Sequence, residues 1–175
     1  MQRLHLVSLR VLRQLRKKLE NVLLNVVAKS YLCPGPLRRV LYRSIGMKIG
    51  QANIWPGVGF RGTRFRIGDW SWINHGVYVD CEYEDVVIGA NVGVGMGVMF
   101  VTSTHQMGRP ERRAGDIRYK PVKVEDGVWI GARAVILPGC TIGQGCVIAA
   151  MAVVTRSCES NGLYAGVPAI RIKNL

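Results

Sequence analysis

Residues 128–154 read VWIGARAVILPGCTIGQGCVIAAMAVV. An aliphatic side chain returns at Ile130, Ile136, Ile142, Ile148 and Val154, every sixth residue. A helix brings a side chain back about every 3.6 residues and a strand every 2. Six fits a short strand followed by a corner, repeated. Three such hexads return the chain to its start one layer further along, and layers stack at about 4.8 Å, the spacing of hydrogen-bonded strands. The predicted object is a three-sided column, a repeat solenoid. A sandwich of short strands is the competing architecture, but it has no reason to hold one phase for this long.

The phase extends both ways. Ile67, Ile73 and Val79 are six apart, as are Ile88, Val94 and Phe100, and Val124 leads into the quoted series. Small or β-branched residues sit two positions before these aliphatics, among them Val77, Val92, Val98, Ala134, Cys140, Cys146 and Ala152. Glycine often follows the aliphatic, as at Gly68, Gly89, Gly95, Gly131 and Gly143, where it is expected to permit the turn. Arg61 falls where the first coil should place an aliphatic. The phase breaks near 81–85 and, at greater length, over about 106–121, a charged loop expected to act as a mobile cover.

Ahead of the hexads, residues 4–29 are expected to form an amphipathic helix. Leu12, Leu15, Leu19, Val22, Leu23, Val26 and Val27 follow the i, i+3, i+4 pattern. Arg3, Arg10, Arg13, Arg16, Lys17 and Lys18 lie among them. CPGP at 33–36 breaks this helix, and a second short one should stop at Gly46. The organisation expected is a basic helical segment at 1–48, a repeat column at 49–160 and a tail at 161–175.

The formal charge of +13 is uneven. Residues 1–48 hold 11 Lys/Arg against one acid, Glu20; the rest hold 13 against 10. Basicity confined to an amphipathic helix, without interleaved stacking aromatics, argues against nucleic acid. It suits a membrane surface; packing of the apolar face within an oligomer is the alternative. The helix carries too much charge to span a bilayer. An odd number of cysteines without a signal peptide does not read as a secreted disulfide framework. The cytoplasm is the expected location, and its membrane face if the helix binds lipid. No metal is expected: the body offers only His75 and His105, and no CxxC pair.

The stretch 128–155, followed by NGLYAGVPAIRI, resembles the hexapeptide-repeat acyltransferases, and within them the sugar O-acetyltransferases that act on maltose and galactosides. The likeness covers roughly residues 45–173. It implies a left-handed parallel β-helix, although general crossover chirality favours the other hand. It also implies a homotrimer with active sites between subunits, and acetyl-CoA or another acyl-CoA as donor. The base it implies is the histidine of TSTH, His105. An imidazole can take the proton of an acceptor hydroxyl and return it to the leaving thiolate, without an acyl-enzyme. A solvated loop histidine is the alternative.

By the same likeness, Asn74 and Glu82 would contact the acceptor, with Asp80 an alternative to Glu82 because the insertion blurs the register. His75 would line the same groove, and plain corner residues are the competing reading for Asn74 and Asp80. The donor would meet Ala132, Ala150, Thr155, Arg156 and Lys173, with Trp129 bordering the channel. One departure concerns the tail, where Ile170 stands in place of a basic residue beside Arg171. The expected activity is O-acyl transfer to a sugar or glycoconjugate hydroxyl. N-acyl transfer to an amino sugar and a non-catalytic scaffold are the alternatives.

Overall fold

In a computed structural model of the chain, residues 2–175 are described, without side chains for 2–10 and 13. The side chains of Arg3, His5, Arg10 and Arg13 thus lie outside the described residues. From Lys48 onward the hexads wind into three parallel faces. Face A stacks Lys48–Ile49, Phe65–Ile67, Val86–Ile88, Val122–Val124 and Thr141–Ile142. Face B stacks Asn53–Ile54, Trp72–Ile73, Gly93–Val94, Trp129–Ile130, Val147–Ile148 and Gly162–Ala165, and ends on antiparallel Ile170–Asn174. Face C stacks Gly59–Arg61, Tyr78–Asp80, Met99–Phe100, Val135–Ile136 and Val153–Val154.

The ladders follow the predicted phase. Ile73, Val94, Ile130 and Ile148 pair in register on face B, and Val79, Phe100, Ile136 and Val154 on face C. All eight side chains are essentially buried. Burying a branched aliphatic contributes about 1.5–3 kcal/mol before ordering entropy. The residues two positions earlier are buried too, Ala134, Cys140, Cys146 and Ala152 included.

Three sequence expectations change. Arg61 does not spoil the first coil: Phe60 takes the interior position, paired with Val79. Glycines that directly follow the aliphatic do not make the turns. A side chain at Gly95 would come within 2.7 Å of the Ala132 nitrogen on the next coil, so glycine there lets coils touch. The left-handed turn residue stands two positions later, at Gly76, Gly97, Arg133 and Met151 on one corner. Finally, Cys158, which lies twelve residues beyond Cys146 and by the hexad count should sit two positions before an interior residue, instead bridges Ile142 in the interior position of a sixth coil.

The cap at the base comprises α1 (Gln2–Val22), a π-helical turn Leu23–Ala28 and α2 (Gly35–Ser44). Leu24, Ala28 and Tyr42 close the open end of the column. Buried Arg38 ties the cap together. It donates to the carbonyls of Ala28 (2.6 Å), Ser30 (3.0 Å), Cys33 (2.6 Å) and Ile54 (2.8 Å). A guanidinium is well suited to carbonyls left open at a helix C-terminus.

The segment expected as a mobile cover is an antiparallel hairpin. Ser103–Met107 pairs with Ala114–Tyr119. It leaves the column where face C turns into face A. The ring of Tyr119 meets that of Tyr83, 4.6 Å between centroids, so the short insertion braces the long one.

Candidate active site

The three corners use equivalent hexad positions differently. On the A–B corner, the residues two beyond the interior aliphatic are Gln51, Asp69, Ala90 and Asp126. Here carboxylates cap the backbone. Asp69 Oδ1 accepts from Gln51 N–H at 2.6 Å, and Asp126 Oδ1 from Ala90 N–H at 2.8 Å. On the B–C corner the equivalent positions are His75, Met96, Ala132 and Ala150. The His75 N–H is capped by Asn74 Oδ1 at 2.8 Å. Those of Ala132 and Ala150 have no hydrogen-bond partner among the described residues. These two amides lie one coil apart beside methyl side chains; those of Met96, Asp69 and Asp126 likewise have no partner among the described residues. Such amides are ready partners for carbonyl oxygens.

Trp129, 58% exposed, stands outward on face B beside this corner. Val147 and Leu163 follow it in register, and Lys173 pairs with Leu163 at the top of the face. Paired strand positions share a side, so Trp129 and Lys173 bound one strip. Arg171 does not serve it freely: its guanidinium bonds Glu159 Oε2 at 3.0 Å and two tail carbonyls.

The C–A corner carries Asp80 and, on the hairpin that leaves it, His105. Asp80, 4% exposed, accepts from Ser103 Oγ at 2.5 Å, and its carbonyl accepts from Thr102 Oγ1 at 2.9 Å. These bonds anchor the root of the hairpin. Two residues on, and on the same side of the strand, His105 is exposed to solvent. Its Nδ1 lies 2.9 Å from the Gly115 carbonyl oxygen. A carbonyl only accepts, so the bond assigns the proton to Nδ1 and leaves the Nε2 lone pair outward. Thr155 and Arg156, both exposed, lie on this corner, with Thr155 in the same ladder position as Asp80.

Asp80 and Glu82 take different parts. Asp80 is bonded beside His105. Glu82 turns toward the base, where its oxygens meet Lys17 Nζ at 3.1 Å and Arg61 Nε at 3.0 Å. Burial pulls its carboxyl up, but the bonds and charges of Lys17 and Arg61 outweigh this and hold it below the usual range. Asn74 is farther off, on the B–C corner. It lies six residues from Asp80, up to about 20 Å of extended chain across face C. His75 is engaged in the base: its Nδ1 meets the Pro56 carbonyl at 2.9 Å, and its ring stacks on Tyr31.

Within one chain, then, His105, Asp80, Thr155 and Arg156 gather on one corner. Asn74, Ala132, Ala150, Trp129 and Lys173 gather on another. Ser103 was missed from the sequence; its place two residues before His105 was the available signal. Cys81, next to Asp80, is no nucleophile: burial pushes its thiol up to about 12. No metal-binding group of His, Cys, Asp or Glu occurs among the described residues.

Residues 121–156 match the family model for the bacterial transferase hexapeptide (six repeats). The galactoside O-acetyltransferase of Escherichia coli is 32% identical over 141 residues, covering 79% of this chain and 68% of that protein. The chain belongs to the hexapeptide-repeat acetyltransferases. A Schizosaccharomyces pombe relative is 40% identical over 99 residues, 55% of this chain. The matched stretch spans about half, 48%, of that relative's own length. An acetyl-CoA complex of a hexapeptide-repeat-containing acetyltransferase from Vibrio cholerae superposes with a TM-score of 0.79 at 29% identity, over 96% of this chain and 89% of that one. The column is thus the left-handed parallel β-helix of this family.

Proposed function

We propose that the protein is an acetyl-CoA-dependent O-acetyltransferase acting on a sugar or glycoconjugate hydroxyl, with His105 as general base. One observation carries the reading. The corner with open amides at Ala132 and Ala150 and the corner with an outward Nε2 on His105 flank one face of the column. A relative named for galactoside O-acetylation and a neighbour that holds acetyl-CoA support the donor and acceptor classes.

The proposed site forms between chains of a homotrimer. Face C supports this, because its outward side chains from Tyr78 on are Tyr78, Met99, Val135 and Val153, whereas face A turns out Lys48, Arg66, Val87, Lys123 and Thr141, three of the five cationic. If face C of each chain meets its copies, the His105 corner of one chain stands against the Ala132–Ala150 corner of the next. The thioester arm runs along the strip from Trp129 toward Lys173, its carbonyls on the open amides. Thr155 and Arg156 reach it from the opposite chain. Asn74 and Asp80 close on the acceptor from two sides.

In the reaction, Nε2 of His105 takes the acceptor proton as its oxygen attacks the thioester carbonyl. The intermediate collapses, the carbon–sulfur bond breaks, and the thiolate recovers the proton from the imidazolium. The Gly115 carbonyl accepts from Nδ1 throughout, so the transferred proton comes and goes at Nε2. The site is proposed to work in the cytoplasm, where acyl-CoA is available.

The test is thiol release from acetyl-CoA over a panel of sugars bearing free hydroxyls or amines. His105→Ala is expected to lower kcat by about 10²–10⁴-fold with the oligomer intact. An unchanged rate contradicts the assignment. Turnover confined to amines contradicts O-transfer.

A further inference from the structure

The cap does not use α1 as its amphipathic pattern suggests. α1 and the π-helical turn after it contact the column through Lys17, Leu24, Asn25 and Ala28: Lys17 bonds Glu82, Asn25 bonds both backbone groups of Phe60, and Leu24 and Ala28 are buried. The apolar stripe of Leu12, Leu15, Leu19, Val22 and Val26 lies on the other side. Leu19 is two residues from Lys17, about 200° around the helix. All five are 45–63% exposed. The turn between the helices adds Leu32, 92% exposed. Of 26 large hydrophobic side chains exposed among the described residues, 11 fall between Val11 and Val40, so the apolar surface is concentrated at this end.

What covers this stripe is indicated by charge. Residues 1–48 carry 11 Lys/Arg and one acid, Glu20, which bonds Arg16 at 2.8 Å. A second copy laid base to base would set one +10 segment against another. An acidic surface would not. Apolar side chains flanked by cations on a helix without a membrane-spanning stretch are the chemistry of an interfacial helix. We infer that the exposed face of α1 docks the protein on an anionic phospholipid bilayer, with the column standing away from it. The inference stands apart from the acyl-transfer reading, since it concerns the opposite surface of the cap and is measured without acceptor.

The experiment uses the full chain with sucrose-loaded vesicles of phosphatidylcholine alone or with about 30% phosphatidylserine, at low and high salt. Binding is expected on anionic vesicles only and should weaken at least about tenfold at high salt. Leu15→Asp with Leu19→Asp should abolish it. Neither residue touches the column, so the melting temperature and the mass in solution should not change. Absence of binding to anionic vesicles overturns the inference, as does equal binding by the double variant. A fall in oligomer mass for that variant, without vesicles present, overturns it in favour of a second copy.

Discussion

The A–B and B–C corners of the column are built on the same hexad and do opposite things. At the first, Asp69 and Asp126 reach down one coil and cap the amides of Gln51 and Ala90. At the second, Ala132 and Ala150 have no side chain with which to do so, and their amides stay open. Interior residues cannot tell these corners apart, because Ile88, Val124, Ile130 and Ile148 are all buried alike. The repeat provides a rigid ladder of equivalent positions. What differs between the corners is the side chain, a carboxylate that caps the coil below at the first and a methyl at the second.

This contrast can be reversed. Ala150 stands above Ala132 as Asp126 stands above Ala90, so Ala150→Asp should cap the Ala132 amide. The expected outcome is an increase of about tenfold or more in KM for acetyl-CoA, equal to about 1.4 kcal/mol, with no loss of thermal stability. Steady-state kinetics beside a melting curve checks both halves. Asp126→Ala should do the converse. Losing the cap on Ala90 is expected to cost about 1–2 kcal/mol in denaturant unfolding while leaving KM unchanged. If either variant moves the other's quantity, the two corners are not functionally distinct.

A smaller effect is expected at the cap. The carboxyl of Glu82 is held below its usual range by Lys17 and Arg61 in the folded chain. A depressed folded pKa stabilises above the unfolded pKa, near 4.3, and the contribution disappears as pH falls through the folded value. Lys17 is largely exposed, so screening limits the gain to about 1 kcal/mol or less. Glu82→Gln should lower the melting temperature slightly at pH 7, and the difference should vanish in strong acid or high salt. Thermal melts across pH 3–7 measure it.

Much of this was legible because it is periodic. The phase of six gave the interior ladder of Ile130, Ile136, Ile142, Ile148 and Val154, and the 3.6-residue pattern gave the helical cap. The hairpin was not legible. Ser103–Met107 and Ala114–Tyr119 bury almost nothing on either side, so no apolar alternation marks them. The place of Cys158 was hidden for a related reason: sixteen residues, not eighteen, separate it from Ile142. His105, Asn74 and the donor positions came through resemblance. Their separation onto two corners did not, because it depends on which face each hexad occupies. The open amides could have been found by aligning the residue two beyond each interior aliphatic.

The central claim is that one site draws His105 from one chain and the Ala132–Ala150 corner from its neighbour. Co-expression of His105→Ala with Ala150→Asp tests it most directly, with acetyl-CoA held well below the parental KM. Under that condition Ala150→Asp alone should keep about a tenth of the parental rate or less, and His105→Ala alone about a hundredth or less. In randomly mixed trimers about one interface in four combines an intact histidine with an intact corner, so roughly a quarter of the parental activity should return. Mixed oligomers no more active than the two variants assayed separately would contradict the claim.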